Sequence, residues 1–173
     1  MIENATGAII FGIVALIETL IAGVSPFEMS DSPRAATLTL GQTFFQEEAL
    51  SGEVRVSYLP GFKFGVLQQV FDASVTEEGS VFIGSGLRWE RDLFAGPFDG
   101  PVFVAAQSIP GLYFQGGGED LGSILEFRSG IELGLAIDEV TRISIITDHR
   151  SNAGISSLNP GLESIGIRFQ RRF

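Results

Sequence analysis

Residues 125–135 read Leu-Glu-Phe-Arg-Ser-Gly-Ile-Glu-Leu-Gly-Leu, and the alternation inside this stretch decides the fold. Leu125, Phe127, Ile131 and Leu133 share one parity, while Glu126, Arg128, Gly130, Glu132 and Gly134 share the other. Successive side chains of a strand point to opposite faces, so this period of two describes a strand with one apolar face and one face of charged or very small residues. The pattern recurs on either side. Val81, Ile83, Leu87 and Trp89 oppose Phe82, Gly84, Gly86, Arg88 and Glu90, and Ile165, Ile167, Phe169 and Phe173 oppose Ser164, Gly166, Arg168, Gln170 and Arg172.

Outward from these three strands, segments of similar length fall at 36–44, 53–60, 64–73, 101–109 and 140–151, with the quoted strands at 80–91, 122–136 and 162–173. Turn-forming pieces such as LPGFK, EEGS, AGPFDG, QGGGED and SNAGISSLNPG separate them. The expectation is all-β: eight antiparallel strands closing into a barrel. Abundant glycine (22) and phenylalanine (15) agree with strands joined by turns. Periodicity does not say which face is inside. A soluble barrel hides its apolar parity around a lipid-sized cavity, whereas a transmembrane barrel turns that parity to lipid and fills its lumen with polar groups. Glycine mixed with charge on the polar parity fits a narrow lumen crowded with Arg and Glu. Phe173 resembles the terminal aromatic of outer-membrane barrels.

A formal charge of −10 without clustered Lys and Arg argues against nucleic-acid partners, because phosphate neutralisation needs basic patches. One histidine and no cysteine exclude polyhistidine and thiolate metal sites, so neither a metal nor another cofactor is expected. Residues 1–30 read as an apolar leader, signal-like but without the basic start of a secretory signal; residues 31–173 are assigned to the barrel.

The chemistry concentrates in RISIITDHRSN. Ile143, Ile145, Thr147, His149 and Ser151 share a parity, so imidazole and hydroxyl are expected on the same apolar face. After the loop NAGISSLNPG the chain returns with Glu163 on the parity of Ile165 and Ile167. If His149 stands opposite Glu163, the carboxylate reaches one ring nitrogen and Ser151 the other. A hydroxyl is a poor nucleophile alone; an imidazole that takes its proton and a carboxylate that fixes the tautomer make it competent.

His-Arg-Ser-Asn-Ala-Gly at 149–154, Asn-Pro-Gly at 159–161 and Glu163 resemble the signature of the lipid A 3-O-deacylase (PagL-type, acyloxyacyl hydrolase-like) outer-membrane family. The resemblance covers 143–173. It implies an eight-stranded transmembrane β-barrel in the bacterial outer membrane, a carboxylic ester hydrolase acting on the 3-O acyl chain of lipid A in lipopolysaccharide, and contact with outer-membrane lipid. It leaves homodimerisation open. Carried over by position, it implies Ser151 as nucleophile, His149 as base and Glu163 as orienting acid, with Asn159 first, then the Gly154 amide and Asn152, as support for the oxyanion. An acyl chain would then lie along Ile143, Ile145, Ile165 and Ile167.

Blander readings stand beside these. A lone histidine is usually structural, and Ser151–Gly161 has the composition of an ordinary turn. Glu90, Glu126, Glu132, Arg88, Arg128 and Arg168 are expected to pair within the lumen rather than form a second site. Trp89 reads as an interfacial anchor. Glu47–Glu48 and Glu77–Glu78 read as solvated loops. The alternative to an esterase is a non-catalytic small outer-membrane barrel serving adhesion or envelope integrity.

Overall fold

The computed structural model of the chain describes residues 6–46, 48–98 and 100–173. Helix α1 (Thr6–Ala22) precedes ten strands: β1 (Met29–Asp31), β2 (Ala35–Phe45), β3 (Glu48–Leu59), β4 (Phe62–Phe64), β5 (Leu67–Thr76), β6 (Val81–Ala95), β7 (Pro101–Phe114), β8 (Leu125–Ala136), β9 (Thr141–Ser151) and β10 (Leu162–Arg172). Of these, β1 and β4 are short and pair with each other beside β5. The eight long strands each pair antiparallel with the next in the chain, and β10 returns to β2, from Glu163 opposite Phe44 to Arg172 opposite Ala35. Closure leaves the eight-stranded barrel without a free edge.

The alternation decides which side faces lipid. Ile131, Leu133 and Ile145 are 62%, 59% and 60% exposed on the outside, whereas the guanidinium-bearing Arg55, Arg128 and Arg168 are at most 1% exposed inside. An apolar exterior around a charged interior is the transmembrane arrangement, and the soluble lipid-binding barrel, which needs the opposite orientation, is overturned.

Inside, buried charge is held in ion pairs. Arg128 bridges Glu53 at 2.6 Å and Asp72 at 2.8 Å, Arg55 meets Asp148 at 2.8 Å, and Arg168 and Arg88 share Glu132 at 2.9 and 3.1 Å. The lumenal pairing expected for Arg88, Arg128, Arg168, Glu90 and Glu132 is therefore present, Glu90 being clasped by Arg88, Arg142 and Arg172. Glu126 departs from the expectation. Fully buried, it has no hydrogen-bond partner on either oxygen, because the arginines near its end of the lumen are taken up by Glu53 and Asp72. Glycines at 130 and 134 on the same inward parity keep room for these long side chains: a methyl at 130 would meet the Asp148 carboxylate at 2.3 Å, and one at 134 the Phe103 ring at 2.4 Å.

Several strand ends differ from the pattern: β3 begins at Glu48, β6 runs on to Ala95 and β8 begins at Leu125, and two further segments differ for a local reason. The segment 64–73 becomes Leu67–Thr76, because Phe62–Phe64 is used in the small hairpin with β5. The segment 101–109 runs on to Phe114, through Pro110. Proline has no N–H to donate, and the β6–β7 ladder is interrupted there, between Gly84 opposite Gly111 and Leu87 opposite Ser108, without ending the strand.

The connections 115–124 and 152–161 are the longest between barrel strands and lie at one end; the turns 96–100 and 137–140, with Ala35 and Arg172, lie at the other. Long loops face the cell exterior and short turns the periplasm in barrels of this kind. α1 lies outside the wall against β7 and β8. Ala15 and Thr19 are buried, Ile13, Leu16, Ile17 and Leu20 face outward, and Glu18 pairs with Arg91 of β6 at 2.5 Å. Among the described residues no helix is long and apolar enough to cross a membrane, which says nothing of the strands. Of the two carboxylate pairs read as loops, Glu47 lies outside the described residues, Glu48 instead opens β3 opposite Phe45, and Glu77 accepts a hydrogen bond from the Gly52 amide at 3.0 Å.

Candidate active site

The last hairpin opposes Glu163 to His149 in register. Their side chains meet on the outer face, Nδ1 to Oε1 at 2.6 Å. Since a carboxylate only accepts, Nδ1 donates in this contact, and in the neutral ring Nε2 carries the lone pair. Nε2 is shut off from solvent and has no hydrogen-bond partner. The site thus contains an oriented imidazole with its basic nitrogen available.

What aims His149 outward is the packing of its neighbours inward. Asp148 is gripped by Arg55, and Arg150 reaches Glu53 at 2.7 Å while lying over the rings of Phe82 and Tyr113. Both flanking side chains are therefore fixed in the lumen, and alternation forces the residue between them to the other face.

Ser151, the last residue of β9, stands opposite Phe127 of β8 and is buried, 2% exposed. It shares the parity of His149. The two are brought to one end of one strand, but no hydrogen bond joins the hydroxyl to Nε2, which has no partner. Of the three side chains expected to act together, the imidazole and the carboxylate are hydrogen-bonded, and the imidazole and the hydroxyl are not.

The loop 152–161 is tied together by Asn152. Its side-chain amide donates to the carbonyls of Leu121 at 2.9 Å and Leu158 at 2.7 Å, its Oδ1 accepts from the Gly154 amide at 3.0 Å, and its own N–H donates to Asn159 Oδ1 at 3.0 Å. Asn152 and Gly154 are thus engaged in shaping the loop, which sets them apart from the oxyanion donors expected at those positions. Asn159 takes part in this knot through its carbonyl oxygen, which accepts from the Asn152 amide. The link to Leu121 joins the two long loops, and Gly122 seals it, since a methyl there would lie 2.0 Å from the Leu158 carbonyl oxygen.

Gly161 was legible only as the end of a turn. In the structure its φ is +78°, and a β-carbon would sit 2.8 Å from His149 Cε1. The loop backbone rests against the imidazole and needs a residue without a side chain there. The signal in the sequence was the Asn-Pro-Gly triplet two residues before Glu163.

A groove of about 340 Å³ on the outer wall touches His149 and Glu163 and extends across β8 and β7 to Trp89, with Phe11 and Val14 of α1 on its far side. Trp89 is 9% exposed and lies mid-strand on β6, so it is not the interfacial anchor expected of it. The isoleucine wall expected to carry an acyl chain forms a separate, open depression over Ile145, Ile165 and Ile167 that reaches neither His149 nor Glu163.

The family model described as Lipid A 3-O-deacylase (PagL) matches residues 81–172. No curated protein matches the chain. Among solved structures, the crystal structure of the outer membrane enzyme PagL superimposes with a TM-score of 0.65 at 16% identity, covering 80% of this chain and 99% of that one. Designed transmembrane β-barrels follow at 0.53 and 7% identity, covering 83% and 100%, and Neisserial surface protein A at 0.52 and 8%, covering 84% and 99%. At such identities the superpositions establish the fold.

Proposed function

Since the chain belongs to the PagL family of lipid A 3-O-deacylases, we propose that Ser151, His149 and Glu163 carry out its ester hydrolysis at the outer rim of the barrel. The observation that supports this assignment is the 2.6 Å contact between His149 Nδ1 and Glu163 on the lipid side, with Nε2 buried and without a partner. An imidazole held by a carboxylate at one nitrogen and bare at the other is a general base waiting for a proton.

The hydroxyl of Ser151 turns onto Nε2 when substrate binds; catalytic hydrogen bonds commonly tighten only in the complex. Nε2 takes the proton as Oγ attacks the ester carbonyl of the 3-O acyl chain, and Glu163 stabilises the imidazolium. The side-chain amide of Asn159 donates to the developing oxyanion. Collapse breaks the bond to the sugar oxygen, which leaves with the proton from Nε2. Water, deprotonated by His149, then attacks the acyl-serine; the fatty acid departs and Ser151 regains its proton.

Mass spectrometry of lipid A from cells producing the protein tests this. The parent removes one hydroxyacyl mass, and Ser151→Ala removes none while still migrating as a folded, heat-modifiable barrel. Full deacylation by Ser151→Ala would eliminate it as nucleophile, and unchanged lipid A with the parent would favour a non-catalytic barrel.

A further inference from the structure

The lumen is charged unequally along its axis. Toward the extracellular end, Arg55, Arg128 and Arg150 meet Glu53, Asp72 and Asp148, a carboxylate for every guanidinium, and Glu126 adds a further carboxyl. Toward the periplasmic end, Arg88, Arg142, Arg168 and Arg172 share Glu90 and Glu132. Among the described residues, the remaining acid these arginines reach is the exposed Asp92, 3.6 Å from Arg142. In a chain of net charge −10 this is a local reversal of sign. Buried positive charge in excess of its partners is costly until a counter-charge arrives.

A cavity of about 190 Å³ lies at this end, between the barrel floor and the β1–β4 hairpin. Lys63, Arg88 and Arg172 line it, with Glu90 as the one carboxylate in its wall, already clasped by arginines. Lys63, on β4, takes no part in the ion pairs of this end. A neutral group adds a second, independent requirement. Gln170 lines the same cavity, is 5% exposed, and has its Oε1 buried without a hydrogen-bond partner. A bare buried acceptor calls for a donor.

We propose that this cavity binds a phosphate group, with its oxygens on Lys63 and Arg172 and a donor of the ligand on Gln170 Oε1. Chloride and sulfate bring charge but no proton to give at neutral pH. Free phosphate brings charge together with an O–H, and a phosphoethanolamine headgroup of the inner leaflet brings charge together with an ammonium. The cavity is smaller than the roughly 300 Å³ at which drug-sized ligands begin, so it suits the group alone. Bound there, the anion ties β4 to β10 and neutralises the periplasmic mouth. The cavity and His149 lie at opposite ends of the barrel, so binding is read without reference to catalysis.

The test uses the full chain, isotope-labelled, in maltoside micelles, whose headgroup carries no phosphate. At neutral pH and fixed ionic strength it is titrated with inorganic phosphate, with sulfate and with a short-chain phosphatidylethanolamine, and the backbone amides of β4 are followed by NMR. Phosphate is expected to shift them saturably and sulfate to bind at least about tenfold more weakly, the scale of one hydrogen bond to a charged group. Lys63→Ala weakens phosphate by at least about tenfold. Gln170→Leu keeps the charge and brings phosphate down to the affinity of sulfate. Heat-modifiable migration verifies that both variants fold. Saturation by the lipid below the concentration needed for inorganic phosphate assigns the group to the inner leaflet, and the reverse order assigns it to free phosphate. Shifts that saturate with neither source would leave the cavity to water and overturn the proposal. Equal affinity of the parent for phosphate and sulfate, or a phosphate affinity unmoved in both folded variants, would overturn it as well.

Discussion

The lumen and the outer wall of this barrel both carry acid–base pairs, and they use them differently. Inside, Glu53 is shared by Arg128 and Arg150, and Glu132 by Arg88 and Arg168, at 2.6–3.1 Å and at least 96% buried. Outside, the His149–Glu163 pair has a single partner on each side, its carboxylate 58% exposed and its imidazole 33% exposed. Unlike Glu126, these lumenal carboxylates are each shared by two arginines, which fixes them in place. The outer pair leaves Nε2 of His149 without a hydrogen-bond partner, which suits it to the base role proposed for it. The two are connected through β9, where Asp148 and Arg150 are held inside so that His149 is held outside. The interior lattice therefore positions a site it does not touch.

Removing the reactive group should have the largest effect. His149→Ala is expected to lower deacylation by on the order of 10⁴-fold or more, since loss of the base disables a triad as a unit, with urea unfolding of the detergent-solubilised barrel essentially unchanged. A matching loss of stability would mean that the histidine is structural. Arg128→Ala provides the converse: Asp72 and Glu53 lose a partner they meet from across the barrel, and stripping one member from a buried ionic cluster costs about 3–5 kcal/mol. Activity per folded molecule should persist. If it collapses while the fold survives, the lumen and the wall are more tightly coupled than β9 alone explains.

Gly161→Ala tests the seam between loop and site. The new methyl strains a backbone at φ +78° and presses on His149 Cε1; displacing a catalytic group by about an ångström costs on the order of 10²-fold. The measurement is the deacylation rate at unchanged expression, and normal turnover would show that the imidazole tolerates a shift. The smallest effect belongs to Asp138, in the β8–β9 turn remote from both regions. The Val140 and Thr141 amides donate to its carboxylate at 2.9 and 2.7 Å and hold its pKa below the ordinary value. A depressed carboxylate contributes stability above its unfolded pKa of roughly 3.9 and loses it as pH falls through the folded value. Asp138→Asn should therefore slightly flatten the acid limb of the stability profile while leaving the neutral plateau of deacylation in place. A steeper acid limb would reverse the sign argued for this turn.

The parity of the strands was legible in the sequence because a period of two needs no tertiary information, and the composition of the polar parity foretold a charged lumen. The opposition of His149 and Glu163 was legible for the same reason, being a relation within one hairpin. What parity lacks is depth and neighbourhood. Trp89 has the same alternation whether it lies at an interface or mid-wall under a helix, so its burial could not be read. Asn152 looked like a turn residue because its partners, the carbonyls of Leu121 and Leu158, carry no side-chain signature. Gly161 and the departure of Glu126 from the pairing scheme likewise depend on which groups three-dimensional packing had already engaged.

The crowded interior has a consequence for the cell as well as for the enzyme. An eight-stranded barrel is just wide enough to be filled by side chains, and here bulky residues occupy it from Arg142 and Arg88 at one end to Leu121 and Leu162 at the other. Such a protein can edit the lipid around it without perforating the permeability barrier.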